Sequence, residues 1–143
     1  LTLSDVNMVQ YFRDGFESIL NKGIDILFCN EEEALLYSGS TEIGHALNFL
    51  LELSSLVIVT RGSKGSLIVS NGEKIKIDPY PVDALDTVGA GDTFAGTFLY
   101  GINNNLSLRK SGDLASAMSS KVVSKLGPRL EKKDIRLIKQ SIG

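Results

Sequence analysis

Apolar residues near the start of the chain recur first at helical spacing and then in a strand-like run. The helical positions predict one amphipathic helix over residues 5 to 21 and are Val6, Val9, Phe12, Phe16, Ile19 and Leu20. Ser4 and Asp5 suit the N-cap and first turn of this helix, and Gly23 ends it. The short apolar run over residues 24–29 then predicts a buried strand.

The alternation of helix and strand continues to residue 60. A helix is predicted to begin at Asn30, a second helix covers about residues 41–53, and residues 56–60 form the most strand-like segment of the chain. Helices that alternate with buried strands are typical of an α/β fold with a parallel sheet.

A hairpin and three helices follow. Residues 66–70 and 73–77 flank Asn71-Gly72, the strongest two-residue signal for a β-hairpin. Lys74 and Lys76 alternate with apolar residues, which indicates a strand near a sheet edge. The later helices are predicted at about 91–101, 107–126 and 131–141. We therefore expect an α/β fold whose mainly parallel sheet carries an antiparallel hairpin at one side.

Size and charge narrow the class of protein. The 143 residues are 43% hydrophobic, which suits one domain over residues 1–143. The net charge of −2 comes from 15 basic and 17 acidic residues without a long block of either sign, so neither nucleic acid nor a membrane is expected as a partner. The single cysteine, Cys29, excludes an internal disulfide and is expected in the core. These features favour a cytoplasmic protein with a small ligand.

The most informative segment is the run Asp-Thr-Val-Gly-Ala-Gly-Asp over residues 86–92, which leads into a predicted helix. The first turn of a helix has unpaired N–H groups and about half a positive charge, so it binds phosphate oxygens well. A carboxylate at this position is repelled by the phosphate unless it acts on the nucleophile, and we assign Asp92 as general base. The alternative is that Asp92 is an ordinary acidic cap of the helix.

This D-T-x-G-A-G-D run resembles the second signature of the ribokinase (PfkB-type) family of carbohydrate and nucleoside kinases. The resemblance implies a ribokinase-like three-layer α/β/α fold, of which the chain is the C-terminal half. It implies that Asp92 is the base, that the amides of Gly89, Ala90, Gly91 and Asp92 bind the γ-phosphate of ATP, and that Asp86 and Thr87 belong to the nucleotide site. The chain opens with Leu1, so we expect the N-terminal half to be missing.

Asn30 and Glu33 open the helix that follows the first strand. The simpler interpretation is that Asn30 caps this helix while Glu31, Glu32 and Glu33 complement its dipole. The spacing also resembles the N-x-x-E motif of the family, which implies that Asn30 and Glu33 hold the water shell of Mg²⁺. Under that resemblance Glu31 and Glu32 remain solvated helix charges.

A glycine turn follows the strand at residues 56–60, at the strand end where ligands collect in open α/β sheets. Its T-x-G-x-x-G spacing resembles the nucleotide loop of the family, which implies ATP contacts from Thr60, Gly62 and Gly65. The alternative is a plain turn into the next strand. Arg61 and Lys64 are either phosphate-neutralising or solvated.

Three further positions complete the expected site and its surroundings. The family helix equivalent to residues 113–127 lies beside the adenine, which makes Ser116 a candidate contact. Gly127-Pro128-Arg129 stops that helix and resembles a segment that binds K⁺ in some members. His45, the sole histidine, lies away from every motif and is not expected in catalysis.

The resemblance predicts an ATP-dependent kinase that phosphorylates a primary hydroxyl of a sugar or nucleoside, with an adenosine-like or sugar acceptor. The alternative is a non-catalytic nucleotide-binding or assembly module. A missing half would also uncover surfaces that favour a homo-oligomer.

Overall fold

The computed structural model describes residues 1–83, 85–124 and 132–142. These residues divide into two compact units: Leu1–Arg61 with Leu67–Lys76, and Gly62–Ser66 with Ile77–Gly143. The helices are α1 (Val6–Tyr11), α2 (Arg13–Leu20), α3 (Glu31–Ser38), α4 (Ile43–Leu51), α5 (Ala90–Asn103), α6 (Leu108–Val123) and α7 (Lys132–Ile142), with a 3-10 turn at Gly62–Lys64. The strands are β1 (Ile24–Asn30), β2 (Ser54–Thr60), β3 (Ser66–Ser70) and β4 (Glu73–Ile77).

The four strands form one mixed sheet in the order β1-β2-β3-β4. The strands β1 and β2 are parallel, and their register places Asn30 opposite Thr60 at their carboxyl ends. The hairpin between β3 and β4 turns through Asn71 and Gly72, which both have the positive φ that this turn requires. The predicted hairpin therefore has the bounds that the sequence indicated.

The first three residues run beside β1, which the hydrophobic pattern did not indicate. The Leu3 N–H donates to the Phe28 carbonyl at 3.1 Å, and the Phe28 N–H donates to the Leu1 carbonyl at 2.9 Å. Thr2 forms a parallel bridge with Phe28, and Leu3 is fully buried. The N-terminal residues thus continue the hydrogen bonding of the sheet beyond β1.

The prediction of one helix over residues 5 to 21 is wrong, because the segment is broken at Phe12. Asp5 caps α1 by accepting from the Met8 N–H, and Phe12 then leaves helical geometry with φ −120° and ψ 28°. Arg13 begins α2, donates to the Tyr37 carbonyl at 2.9 Å and lies over the Tyr37 ring at 4.9 Å. These contacts join residues 24 apart in the sequence, and helical periodicity carries no information about them.

In the second unit, α5 and α6 cross closely at Gly101. A Cβ atom at this position would lie 2.7 Å from Ser111 Oγ and 3.1 Å from Ser111 Cα. We expect Gly101→Ala to lower the free energy of unfolding by about 1–3 kcal/mol, because the helices must separate. The matched control is Gly96→Ala, which meets no atom within 4 Å on the same helix and should raise stability by about 1 kcal/mol.

Urea titration of both variants measures these effects. Equal stability of the two variants would contradict the close crossing.

Candidate functional site

The segment before α5 is a tight turn that is stabilised by a hydrogen bond within the turn and by two hydrogen bonds to α6. Asp86 Oδ1 accepts from the Val88 N–H at 2.9 Å, and Gly89 adopts the left-handed conformation with φ 78° as the N-cap of α5. The Leu85 and Asp86 N–H groups both donate to the Val123 carbonyl, at 2.7 and 3.2 Å. A residue other than glycine is strained at the φ of Gly89, so the sequence Gly-Ala-Gly-Asp fixes where the helix begins.

Two amides at the start of α5 have no acceptor within the part of the chain that the structure describes. The Ala90 N–H donates to Thr87 and the Thr93 N–H to Gly89, which leaves the N–H groups of Gly91 and Asp92. A Cβ built on Gly91 meets nothing within 4 Å, so a side chain at this position would have room. The turn therefore carries the chemistry of an anion-binding site.

Asp92 lies in the first turn of α5 with an exposed side chain. The N-cap residue, Gly89, has no side-chain capping bond, and among the described residues none donates to the Asp92 carboxylate. Asp92 thus makes no capping hydrogen bond, unlike the acid of a capping box. The carboxylate is available to a proton-bearing ligand, as the assignment of a general base requires.

Asn30 and Glu33 form a complete capping box at the start of α3. Asn30 Oδ1 accepts from the Glu33 N–H at 2.8 Å, while the Glu33 carboxylate accepts from the Asn30 N–H at 3.0 Å and from Asn30 Nδ2 at 2.7 Å. The simpler interpretation, in which Asn30 caps α3, is therefore confirmed. Each carboxylate oxygen keeps acceptor capacity beyond the bond it makes.

Glu33 is 4% exposed, and burial raises its pKa above the ordinary value. The hydrogen bond from the Asn30 backbone opposes this rise, and the charges of Asp5 and Glu32 add to it. Because the folded state binds the proton more tightly, the contribution of Glu33 to stability is complete below the unfolded-state pKa of about 4.5. This contribution is lost as the pH rises through the folded-state pKa.

We expect the unfolding free energy of the wild type to fall relative to that of Glu33→Gln as the pH rises from 4 to 7. The variant carries no ionisable group at residue 33, so the difference isolates the carboxyl group. Chemical unfolding in metal-free buffer measures it, with Glu52→Gln, an exposed glutamate at the end of α4, as control. A difference that does not change with pH would contradict the burial argument.

Glu31 and Arg61 form an ion pair, so the interpretation of either side chain as a solvated charge is corrected, and phosphate neutralisation by Arg61 stays a prediction. Arg61 Nε and Nη2 donate to Glu31 Oε1 at 3.0 and 2.8 Å. The side chains are 19% and 24% exposed. They meet because the residues follow directly after Asn30 and Thr60, which are opposite each other in the parallel register.

Thr60, Gly62 and Gly65 follow the carboxyl end of β2, as predicted. Thr60 Oγ1 lies 3.5 Å from the Cys29 carbonyl and so bridges β2 to β1. Gly62 and Gly65 have φ 54° and 81°, and a Cβ on Gly65 would lie 2.0 Å from the Ile77 carbonyl oxygen. Gly65 therefore has a structural requirement, and its predicted ATP contact stays a prediction.

Ser116 lies on α6 and donates to the Asp78 carbonyl at 3.1 Å. Sequence reasoning missed Ser119, one turn further on, whose hydroxyl donates to the Ala90 carbonyl at 3.0 Å. The sequence shows that residues 115–117 and 119 have small side chains, but it does not show that Ser119 contacts the first turn of α5.

The structure groups the predicted site residues into two sets. Asn30, Glu33 and Thr60 lie at neighbouring strand ends in the first unit. The second unit contains Gly62 and Gly65, together with Ser116 and the turn over residues 86–92.

Several other predicted features have a simple outcome. Gly127-Pro128-Arg129, the predicted K⁺ segment, lies outside the described residues. Cys29 is buried, and this burial raises the pKa of its thiol, as expected for a core residue. His45 is exposed beside Glu42.

Within residues 1–83, 85–124 and 132–142, no three acidic, histidine or cysteine side chains lie close enough together to bind a metal ion. No helix in these ranges is long and apolar enough to cross a bilayer.

The family is established by comparison with known sequences. The family described as pfkB family carbohydrate kinase matches residues 1–134. The chain therefore belongs to the pfkB family of carbohydrate kinases, as the D-T-x-G-A-G-D run predicted.

Individual relatives agree with this assignment. A cytidine kinase from Thermococcus kodakarensis is 32% identical over 118 residues, which cover 80% of the chain and 42% of that protein. A ribokinase from Staphylococcus aureus is 33% identical over 111 residues, covering 73% of the chain and 36% of that protein. The chain thus spans about two-fifths of the length of these relatives.

Solved structures confirm the predicted ribokinase-like α/β fold. The adenosine kinase from Sinorhizobium meliloti superimposes with a TM-score of 0.91 at 30% identity, over 98% of the chain and 43% of that protein. A protein from Escherichia coli assigned as ribokinase II, in complex with ATP and Mg²⁺, gives 0.78 at 28% identity, over 94% and 44%. Phosphofructokinase-2 from Escherichia coli, in complex with potassium, gives 0.75 at 25% identity, over 90% and 45%.

Proposed function

We propose that the chain contributes the phosphoryl-transfer turn of a kinase that moves the γ-phosphate of ATP to a primary hydroxyl of a sugar or nucleoside. The observation that carries this proposal is the pair of amides at Gly91 and Asp92, which have no acceptor among the described residues and lie beside an exposed carboxylate. Membership of the pfkB family of carbohydrate kinases supports the reaction class.

In this mechanism the amides at the start of α5 bind the γ-phosphoryl oxygens. Their N–H groups are fixed before the reaction and stabilise the charge that develops on the transferred group. Asp92 takes the proton from the acceptor hydroxyl, and the resulting oxygen attacks the phosphorus while ADP leaves in line. The amide of Gly89 is proposed to join them, whereas the Ala90 N–H, which was also predicted to bind the phosphate, donates to the Thr87 carbonyl.

The other nucleotide contacts are proposed from the family resemblance. They are Thr60, Gly62 and Gly65 in the loop after β2, Asp86 and Thr87 before α5, and Ser116 on α6.

Asn30 and Glu33 fit contacts with the water molecules of a hydrated Mg²⁺ ion better than direct bonds to the metal. Both Glu33 oxygens already accept hydrogen bonds from Asn30, and the described residues offer no three-residue ligand cluster. The remaining acceptor capacity of Asn30 and Glu33 suits water molecules bound to the cation. When bound, Mg²⁺ offsets the negative charge of the triphosphate. Potassium remains a further candidate cation.

The acceptor is proposed as a class, because the named relatives include both a nucleoside kinase and a sugar kinase. The test is to incubate the intact protein with Mg·ATP and a panel of ribose-like sugars, fructose-type sugars and nucleosides, and to measure ADP release. We expect release that depends on one acceptor class. ATP binding without acceptor-dependent release from any member of the panel would favour the non-catalytic nucleotide-binding module instead.

A further inference from the structure

We propose that Ser119 is a positioning residue for phosphoryl transfer, whose hydroxyl fixes the first turn of α5 against α6. This inference rests on the proposed function of that turn. Ser119 Oγ donates to the carbonyl of Ala90 at 3.0 Å. Ala90 is the first residue of α5 and directly precedes Gly91 and Asp92, whose amides have no acceptor in the described part of the chain.

A second pair of hydrogen bonds holds the residues that precede α5 to the same helix, α6. The Val123 carbonyl accepts from the N–H groups of Leu85 and Asp86 at 2.7 and 3.2 Å. Ser119 and Val123 are four residues apart on α6, and residues at this spacing are neighbours on one helix face. The C-terminal part of α6 therefore binds the segment over residues 85–90 at both of its ends.

The two attachments differ in what a mutation can remove. The Val123 bonds use only backbone atoms and survive any side-chain change at that residue. The Ser119 bond uses a side-chain hydroxyl, so a single substitution deletes this hydrogen bond between α6 and the first turn of α5. Neighbouring Ser120 offers a matched control, because its hydroxyl donates to Ala117 within α6 at 2.7 Å.

Deleting the Ser119 bond should lower kcat more than it affects ATP binding. The amides must meet the phosphoryl oxygens where charge develops, and small misplacements of catalytic groups reduce rate strongly. Loss of one such hydrogen bond is expected to reduce kcat about fivefold to tenfold. The KM for ATP should change by less than about twofold, since the rest of the nucleotide contacts are untouched.

The experiment compares Ser119→Ala, Ser119→Thr and Ser120→Ala in the intact protein, with kcat and KM measured on the acceptor found active in the panel. We expect Ser119→Thr, which keeps a hydroxyl, to recover most of the rate that Ser119→Ala loses. Ser120→Ala should match the wild type. An unchanged kcat for Ser119→Ala in an active enzyme would overturn the proposal, as would equal losses for the alanine variants at 119 and 120.

A second readout keeps this test separate from that of the proposed function. The Thr93 N–H donates to the Gly89 carbonyl at 2.9 Å, so its hydrogen exchange reports the order of the turn without any turnover. Faster exchange of the hydrogen-bonded amides of Ala90 and Thr93 in Ser119→Ala than in Ser120→Ala supports the positioning of the turn even if no acceptor is phosphorylated. Equal exchange in the two variants would overturn it, whatever the outcome of the kinase assay.

Discussion

Asp92→Asn is expected to reduce kcat about 10²- to 10⁴-fold in the intact protein, the range that general-base catalysis contributes. Asparagine keeps the size of the side chain but cannot accept the proton of the acceptor hydroxyl. The Asp92 side chain is exposed and makes no hydrogen bond to the described residues, so the change should leave stability nearly unaltered. Steady-state ADP release at saturating ATP and acceptor measures the effect.

Two comparisons separate loss of the base from loss of binding. The affinity for Mg·ATP, measured by calorimetry, should persist in Asp92→Asn, because removing a negative charge beside phosphate does not weaken its binding. Asp113→Asn, an exposed aspartate on α6, controls for the loss of one surface charge. A wild-type kcat for Asp92→Asn would mean that another group, or water, removes the proton.

Local turn chemistry could be predicted from the sequence with correct bounds. The hairpin through Asn71 and Gly72 and the N-cap role of Asn30 depend on residues within a few positions of each other. The turn before α5 is also local: Asp86 bonds to Val88, and Gly89 supplies the left-handed residue. For that reason the anion-binding chemistry could be inferred before its geometry was known.

The features that sequence reasoning missed join residues far apart in the chain. The pair of Glu31 and Arg61 spans 30 residues and forms only because β1 and β2 pair in parallel with one register. The bond from Ser119 to Ala90 spans 29 residues and depends on how α6 lies against α5. Hydrophobic periodicity predicts which face of an element is buried, but it does not specify which residues of two elements meet.

Gly65 shows how one residue can satisfy a family pattern for a reason unrelated to ligand contact. Its spacing from Thr60 and Gly62 suggested an ATP loop, yet the backbone of Ile77 to Pro79 passes directly beside its Cα. A Cβ there would lie 2.0 Å from the Ile77 carbonyl oxygen, 3.0 Å from the Pro79 nitrogen and 3.1 Å from the Asp78 carbonyl carbon. All three atoms belong to the main chain, so no side chain can rotate away.

We therefore expect Gly65→Ala to lower the free energy of unfolding by about 3 kcal/mol or more, the range of severe steric and backbone mutations. Gly62→Ala is the matched control in the same loop, because its φ is also positive but a Cβ meets nothing within 4 Å. The control should lose only the left-handed strain of about 1–2 kcal/mol. Urea unfolding without nucleotide measures both variants and excludes any contribution from ATP contacts.

If Gly65→Ala proved no less stable than Gly62→Ala, the close approach of the main chain would be wrong, and only the positive φ of Gly65 would remain as a structural reason for glycine. If Gly65→Ala is less stable than Gly62→Ala, a loss of ATP affinity in Gly65→Ala is explained by the displacement of residues 77–79. Ser116 would then be disturbed as well, because its hydroxyl donates to the Asp78 carbonyl. The loop after β2 and α6 would thus be linked through main-chain packing at a single glycine.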